Sequence, residues 1–361
     1  MRINANTRSL IFRIINIVIV VGLGVFLVYY LLSGINISDL KKSFLQAYIP
    51  SLAIGLILWF IMDFFKTYRQ LILVDSPYLR YGDMFLVTLI RDAFNMVLPA
   101  RTGELSYVYV LKKKFKIPVE VGISTLVVGL IFDLIIVFCM VLISVIIAVV
   151  NMSTVSPTGL IIIAVALLAA SLMLLYFLSK VINLFIRFGG FLKGRFTRIA
   201  KNNVFSYLYD KLIETNKSIE IIQKRRIYWK VYLLSIATRV MKYTSYYFFI
   251  HAFLAPFGYT FSDLPYWEIL LATIAAEISA ILPTHAVAGL GTYEGAFVLA
   301  AVGLGLPKEH AIIAGFNYHI VNLVSTILQG LVAILIIVMP FYKIRKDTAA
   351  NNLESKNIDS K

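Results

Sequence analysis

Nine charged side chains fall inside or beside stretches of the chain that are otherwise apolar: Arg91, Asp92, Arg101, Glu104, Asp133, Arg239, Lys242, Glu277 and Glu294. Placing a charge at membrane depth costs about 2.5 to 3.5 kcal/mol on insertion scales, so such residues face a partner or a water-filled cavity. The chemistry open to them is recognition of a charged headgroup. A guanidinium grips phosphate oxygens in a bidentate fork, so a cavity lined by Arg101, Arg239 and Lys242 suits a lipid phosphate. Glu104 and Glu294 can hold those cations in place, bind a cationic headgroup or carry a proton. Arg91 with Asp92, and Arg101 with Glu104, can equally form local pairs that serve structure alone. Arg239 and Lys242, three apart on one helical face, can also reach out to an interface.

Composition decides what kind of element carries these groups. With 60% hydrophobic and 15% charged residues among 361, the chain cannot enclose a core within a polar shell, and it reads as an all-α polytopic membrane protein. The formal net charge of +15 does not point to nucleic acid, because the basic residues lie between apolar segments, where they set orientation and meet anionic lipid. The single cysteine, Cys139, excludes an intrachain disulfide. His251, His285, His310 and His319 lack metal-ligand spacing, so neither metal nor other cofactor is expected.

Six stretches are long enough to cross a bilayer as helices: 14–32, 45–65, 119–150, 159–179, 231–255 and 311–340. Two more, 84–99 and 267–306, are short or broken by Pro and Gly, which predicts re-entrant elements. One transmembrane domain over 1–342 is therefore expected, with a basic cytoplasmic loop at 180–230 and a disordered cytoplasmic tail at 343–361. Arg2, Arg8 and Arg13 before the first span and Lys66, Arg69 and Arg80 after the second mark the cytoplasmic side, and with Lys343, Arg345 and Lys346 after the last span both termini are expected in the cytoplasm of a multi-pass plasma-membrane protein.

The break at "NMVLPARTGEL", Asn95 to Leu105, returns in altered form. "NMVLPARTGELSYVYVL" is echoed by "SAILPTHAVAGLGTYEGAFVL", Ser279 to Leu299. With Pro99 set on Pro283, about six extra residues precede the second glutamate, so Glu104 meets Glu294 only across a gap. Beyond it Pro118 aligns with Pro307, Glu120 with Glu309 and Asp133 with Asn322. Segments 84–150 and 267–340 would then form an inverted repeat whose broken helices meet near the midplane. Pro99 disfavours helix at Leu98, Gly103 permits unusual backbone, and Asn95, Arg101 and Glu104 can bond to the groups freed at the break. Pro283, Gly289 and Gly291 take the structural part in the second copy.

At these motifs the sequence resembles the transmembrane region of the lysylphosphatidylglycerol synthase family, the flippase-like integral membrane proteins. "NMVLPARTGE", "GLGTYEGAFVL" and "GLP", Gly305 to Pro307, carry the resemblance, which covers 14–340. It implies binding or translocation of a lipid rather than aminoacyl transfer, since only a short segment follows the last apolar stretch. Where the family's second motif often begins with a Pro-Gly-Gly-type turn, this chain has "PTHAVAGLG". The expectation is a non-enzymatic protein whose partners are membrane lipids with anionic phosphate headgroups, beside a separate lipid-modifying enzyme. A membrane-embedded headgroup-modifying enzyme using Glu104 or Glu294 as base, and a scaffold working through 180–230, are the alternatives.

Overall fold

In the computed structural model the described residues are 26, 29–31, 37–98, 102–151, 158–195, 203–279 and 287–339. They are helical, with no strand among them. A short helix α1 (Ile37–Leu45) leads into α2 (Ile49–Val74), α3 (Tyr81–Val97), α4 (Glu104–Phe115) and α5 (Val119–Asn151). Then come α6 (Thr158–Arg195), α7 (Asn203–Lys224), α8 (Tyr228–Leu254), α9 (Tyr266–Ser279), α10 (Thr292–Gly303) and α11 (Lys308–Val338).

Apolar side chains fill much of the interior, but polar ones share it, and many large apolar side chains are left exposed. Thr88, Arg69, Arg91 and Asn322 are buried, whereas Ile57, Phe60, Leu328 and Leu335 are exposed. In water this arrangement would lose the hydrophobic driving force, whereas against lipid tails it satisfies both polar and apolar groups. Among the described residues three helices are long and apolar enough to cross a membrane: Ile49–Val74, Val119–Ile147 and Lys308–Val338. The six expected crossings therefore do not map one for one. The first, 14–32, lies almost wholly outside the described residues. The second runs on past 65 to Val74 and takes Lys66 and Arg69 into the helix. In α8 the apolar run is interrupted by Arg239 and Lys242.

The expected basic loop at 180–230 is mostly helix. α6 continues unbroken to Arg195, and α7 folds back onto α5 and α6. Lys211 on α7 bonds Glu120 at the start of α5 (3.2 Å), and Arg225 donates to the Ile72 and Leu73 carbonyls (2.6 and 3.0 Å). A cation at those carbonyls caps the negative end of the α2 dipole. The tail at 343–361 lies outside the described residues.

Two helical hairpins stand among the long helices. α3 and α4, with 17 and 12 residues, and α9 and α10, with 14 and 12, fall short of the about 20 residues a crossing needs. Each hairpin is followed by a long helix, α5 or α11. α2 lies along α8, the first hairpin packs on α11, and the second packs on α5. An aromatic core of Trp59, Tyr246, Phe249, Phe297 and Tyr318 joins α2, α8, α10 and α11. Trp59 stacks on Tyr246 at 5.6 Å, and Tyr246 meets Tyr318 at 5.5 Å.

Candidate functional site

The first hairpin turns where the sequence says it must. α3 stops at Leu98, whose extended backbone (φ −87°, ψ 138°) is the conformation a following proline imposes. Pro99 and Arg101 themselves lie outside the described residues, as does Pro283. Gly103 then passes over the end of α3 so closely that a Cβ there would sit 2.2 Å from the Asn95 nitrogen. The close approach lets Asn95 Nδ2 donate to Glu104 Oε1 at 3.0 Å, which ties the last turn of α3 to the first residue of α4.

Behind that tip lies a run of charges. Lys66 of α2 bonds Asp92 of α3 at 2.7 Å. Arg91 donates to Asp92 Oδ1 at 3.2 Å, and its Nε lies 3.8 Å from Glu104 Oε2. The local pair expected between Arg91 and Asp92 is present, but it is one link in a chain of four side chains rather than an isolated contact.

The second tip is built differently. Glu277, in the last turn of α9, accepts from Arg239 (2.7 Å), Lys242 (2.8 Å) and the Tyr243 hydroxyl (2.7 Å), all on α8. At the other limb Glu294 is fully buried. Its Oε2 accepts from the Gly291 N–H at 2.7 Å, and its Oε1 is 2.7 Å from His319 Nδ1 of α11. Gly291 has φ of 89°, a left-handed backbone that favours glycine, and Gly289 at φ 72° does the same two residues earlier. Both glycines thus serve the turn, as their sequence positions suggest.

Asp133, near the middle of α5, connects the halves. It receives both terminal nitrogens of Arg69 (2.5 and 3.2 Å) and one of Arg239 (3.1 Å). Arg69 also donates to Ser235 at 2.8 Å. The result is an alternating row, Arg69, Asp133, Arg239, Glu277, Lys242, that ties α2, α5, α8 and α9. Asn322, which the sequence aligns with Asp133, occupies the middle of α11 and donates to the Tyr246 hydroxyl at 3.1 Å.

These groups line one cavity holding, with its mouth, about 1200 Å³. The two hairpin tips supply Asp92, Asn95 and Glu104 from one side, and Glu277, Ala288 and Tyr293 from the other. Long helices supply Lys66, Arg69, Asp133, Arg239, Lys242 and Asn322. Several buried polar atoms keep unused bonding capacity: Nε of Arg69, Nε of Arg239, Oδ1 of Asn95 and Oε2 of Glu104. Donors thus remain on the long helices, while acceptors remain at the first tip.

Of the expected site residues, Asn95, Glu104, Asp133, Arg239, Lys242 and Glu277 come together in this cavity. Glu294 lies behind its wall, held by His319, which does line it. The alternative in which Arg239 and Lys242 reach out to an interface is not what the structure shows, because both turn inward onto Glu277. They are also not free phosphate ligands, since each already holds a carboxylate. Sequence reasoning missed Lys66 and Arg69, which it used as markers of a cytoplasmic loop. Their spacing was the available signal: Asp63, Lys66 and Gln70, with Arg69 beside them, fall on one face of a helix. His319 gave no such signal.

A family model described as the lysylphosphatidylglycerol synthase TM region matches residues 13–330. No curated protein matches the chain.

Proposed function

The chain belongs to the lysylphosphatidylglycerol synthase transmembrane-region family, and from that membership and the cavity we propose that it binds a phosphate-bearing lipid and moves it between leaflets. The observation carrying this reading is the convergence of two short helical hairpins, each too short to cross a bilayer, on one charged cavity at mid-height of α5, α8 and α11. Hairpins meeting beside a polar site, with irregular backbone only where protein or water surrounds it, are an architecture suited to alternating access.

In this reading the hairpins and their following long helices form an inverted repeat. The packing supports it, because each hairpin lies against the long helix of the other half while α2 and α8 pair along the axis between them. The headgroup enters from the mouth of the cavity, its phosphate taking hydrogen bonds from Arg239 and Lys242 as they loosen from Glu277. A cationic portion, where the headgroup has one, faces Glu104. We assign the site no bond-making chemistry. The lipid's supply is the work of a separate modifying enzyme.

The test is leaflet exchange of labelled anionic, zwitterionic and cationic lipids in proteoliposomes. Exchange should exceed that of empty liposomes for at least one lipid and fall about tenfold in Arg239→Gln, the equivalent of losing one charged hydrogen bond of about 1.5 kcal/mol. No exchange of any lipid by folded protein would overturn the reading.

A further inference from the structure

Asp63 lies on α2, one turn before Lys66, and is 1% exposed. Its Oδ2 has no hydrogen-bond partner, and it belongs to none of the ion pairs among the described residues. Every other carboxylate near the cavity is held: Asp92 by Lys66 and Arg91, Asp133 by Arg69 and Arg239, Glu277 by Arg239 and Lys242. Glu104 bonds Asn95, and Glu294 bonds His319. A buried carboxyl left without a counterion takes up a proton, because leaving it ionised in a low-dielectric interior costs several kcal/mol.

We propose that Asp63 is a proton-binding site, and that its proton exchanges against the Lys66–Asp92 ion pair at the cavity wall. Lys66 is the one cation within a helical turn on the same strip of α2, and it stands between two carboxyls of which it can hold one. With Asp63 protonated, Lys66 stays on Asp92. When the O–H bond of Asp63 breaks, the proton passes to water at the cavity, and the carboxylate left behind draws the Lys66 ammonium from Asp92. Arg91 alone then holds Asp92, and the cavity wall gains one negative charge.

The charged and titratable groups around Asp63 are compatible with this exchange. From α3 its neighbours are Asp92, Arg91 and the Tyr81 phenol. On α8, packed along α2, the charges at the cavity are Arg239 and Lys242, both on Glu277. On α5 the charge at the cavity is Asp133, already gripped by two arginines. Lys66 is therefore the mobile cation of the set, on a flexible stem one turn from Asp63, whereas the other lysine, Lys242, sits with Arg239 and Tyr243 on Glu277. Buried Thr67, one turn on from Asp63, has an unpartnered Oγ1 as well.

The coupling half of the proposal rests on the translocation reading, whereas the proton-binding half does not. Infrared difference spectra of the full-length protein in nanodiscs, taken while the pH is raised, test the second directly. A protonated-carboxyl C=O band should disappear with rising pH in the wild type and be missing throughout in Asp63→Asn. Asp63→Glu should keep a titrating band at a shifted frequency, which covers the case of a poorly folded asparagine variant. In proteoliposomes, labelled-lipid exchange should differ several-fold between acid and alkaline buffers for the wild type and be equal in both for Asp63→Asn. No band that depends on residue 63 would overturn the proton site whatever the lipids do. A band with an unchanged pH profile of exchange in Asp63→Asn would overturn the coupling. If lipid exchange is absent at every pH, the translocation reading and the coupling fall together, and the band alone decides the site.

Discussion

Asp133 shows what a single residue carries in this protein. It accepts from Arg69 and from Arg239, two guanidiniums that would otherwise sit side by side with nothing between them. Removing one member of a buried ion network costs far more than the network contributes, because the remaining charges stay buried and lose their compensation. Asp133→Asn should therefore lower stability by about 3 to 5 kcal/mol, seen as a marked fall in the thermal unfolding midpoint in detergent. Asp133→Glu should recover part of it. Asn322 makes a neutral bond to Tyr246 from the middle of α11, and Asn322→Ala should cost much less. Equal losses in the two variants would mean that the charge row is not the structural link between α2, α5 and α8.

At the scale of the element, the hairpins depend on small residues where backbones touch. A Cβ at Gly103 would meet the Asn95 nitrogen at 2.2 Å, and one at Gly330 would meet the Ala93 Cβ at 2.2 Å, where α11 crosses α3. Neither obstacle can be relieved by turning a flexible side-chain end. Gly103→Ala should open the tip, separate Asn95 from Glu104 and cost about 1 to 3 kcal/mol, measurable as lower thermal stability. Gly82→Ala, where nothing lies within 4 Å, is the matched control and should be close to neutral. The break at Leu98 and Pro99 was legible in the sequence because proline acts on its immediate neighbour through local sterics. The inward turn of Lys66 and Arg69 was not, since it depends on Asp92 for the first and on Asp133 and Ser235 for the second, residues far away in the chain. Charge next to an apolar run looks the same at a membrane edge as at a cavity, and only the partner tells them apart. The helix over 180–195 was hidden for a related reason, its aromatic and basic residues suiting either a loop or an interfacial helix.

Across the described residues, the charged side chains of the hairpins and long helices gather at one cavity, while large apolar side chains lie exposed. Leu328 and Asn322 stand on different faces of α11, the first 57% exposed and the second 3%. Leu328→Asp should impair membrane insertion by about 2.5 to 3.5 kcal/mol, reducing the amount of membrane-embedded protein recovered, while Asn322→Asp should leave insertion nearly unchanged. Similar recovery of both variants would mean that the exposed face of α11 does not meet lipid. The membrane class and helical content followed from composition, which needs no knowledge of contacts. The assembly of the cavity from two distant hairpins was only suggested by the echoed Leu-Pro motif, and side-chain pairing across it needed the fold itself.

The row of charges across α2, α5, α8 and α9 also bears on how the chain is made. α2 carries Arg69 into the bilayer, but the carboxylates that complete its row arrive on α5 and α9, and Arg239 arrives on α8. During synthesis Asp133 follows Arg69 and can pair with it, but the row beyond Asp133 stays incomplete, because Arg239 and Lys242 wait for Glu277. The row of five is therefore complete only once α9 has been translated, so Arg69 and Asp133 can meet first and Arg239 with Lys242 join Glu277 last.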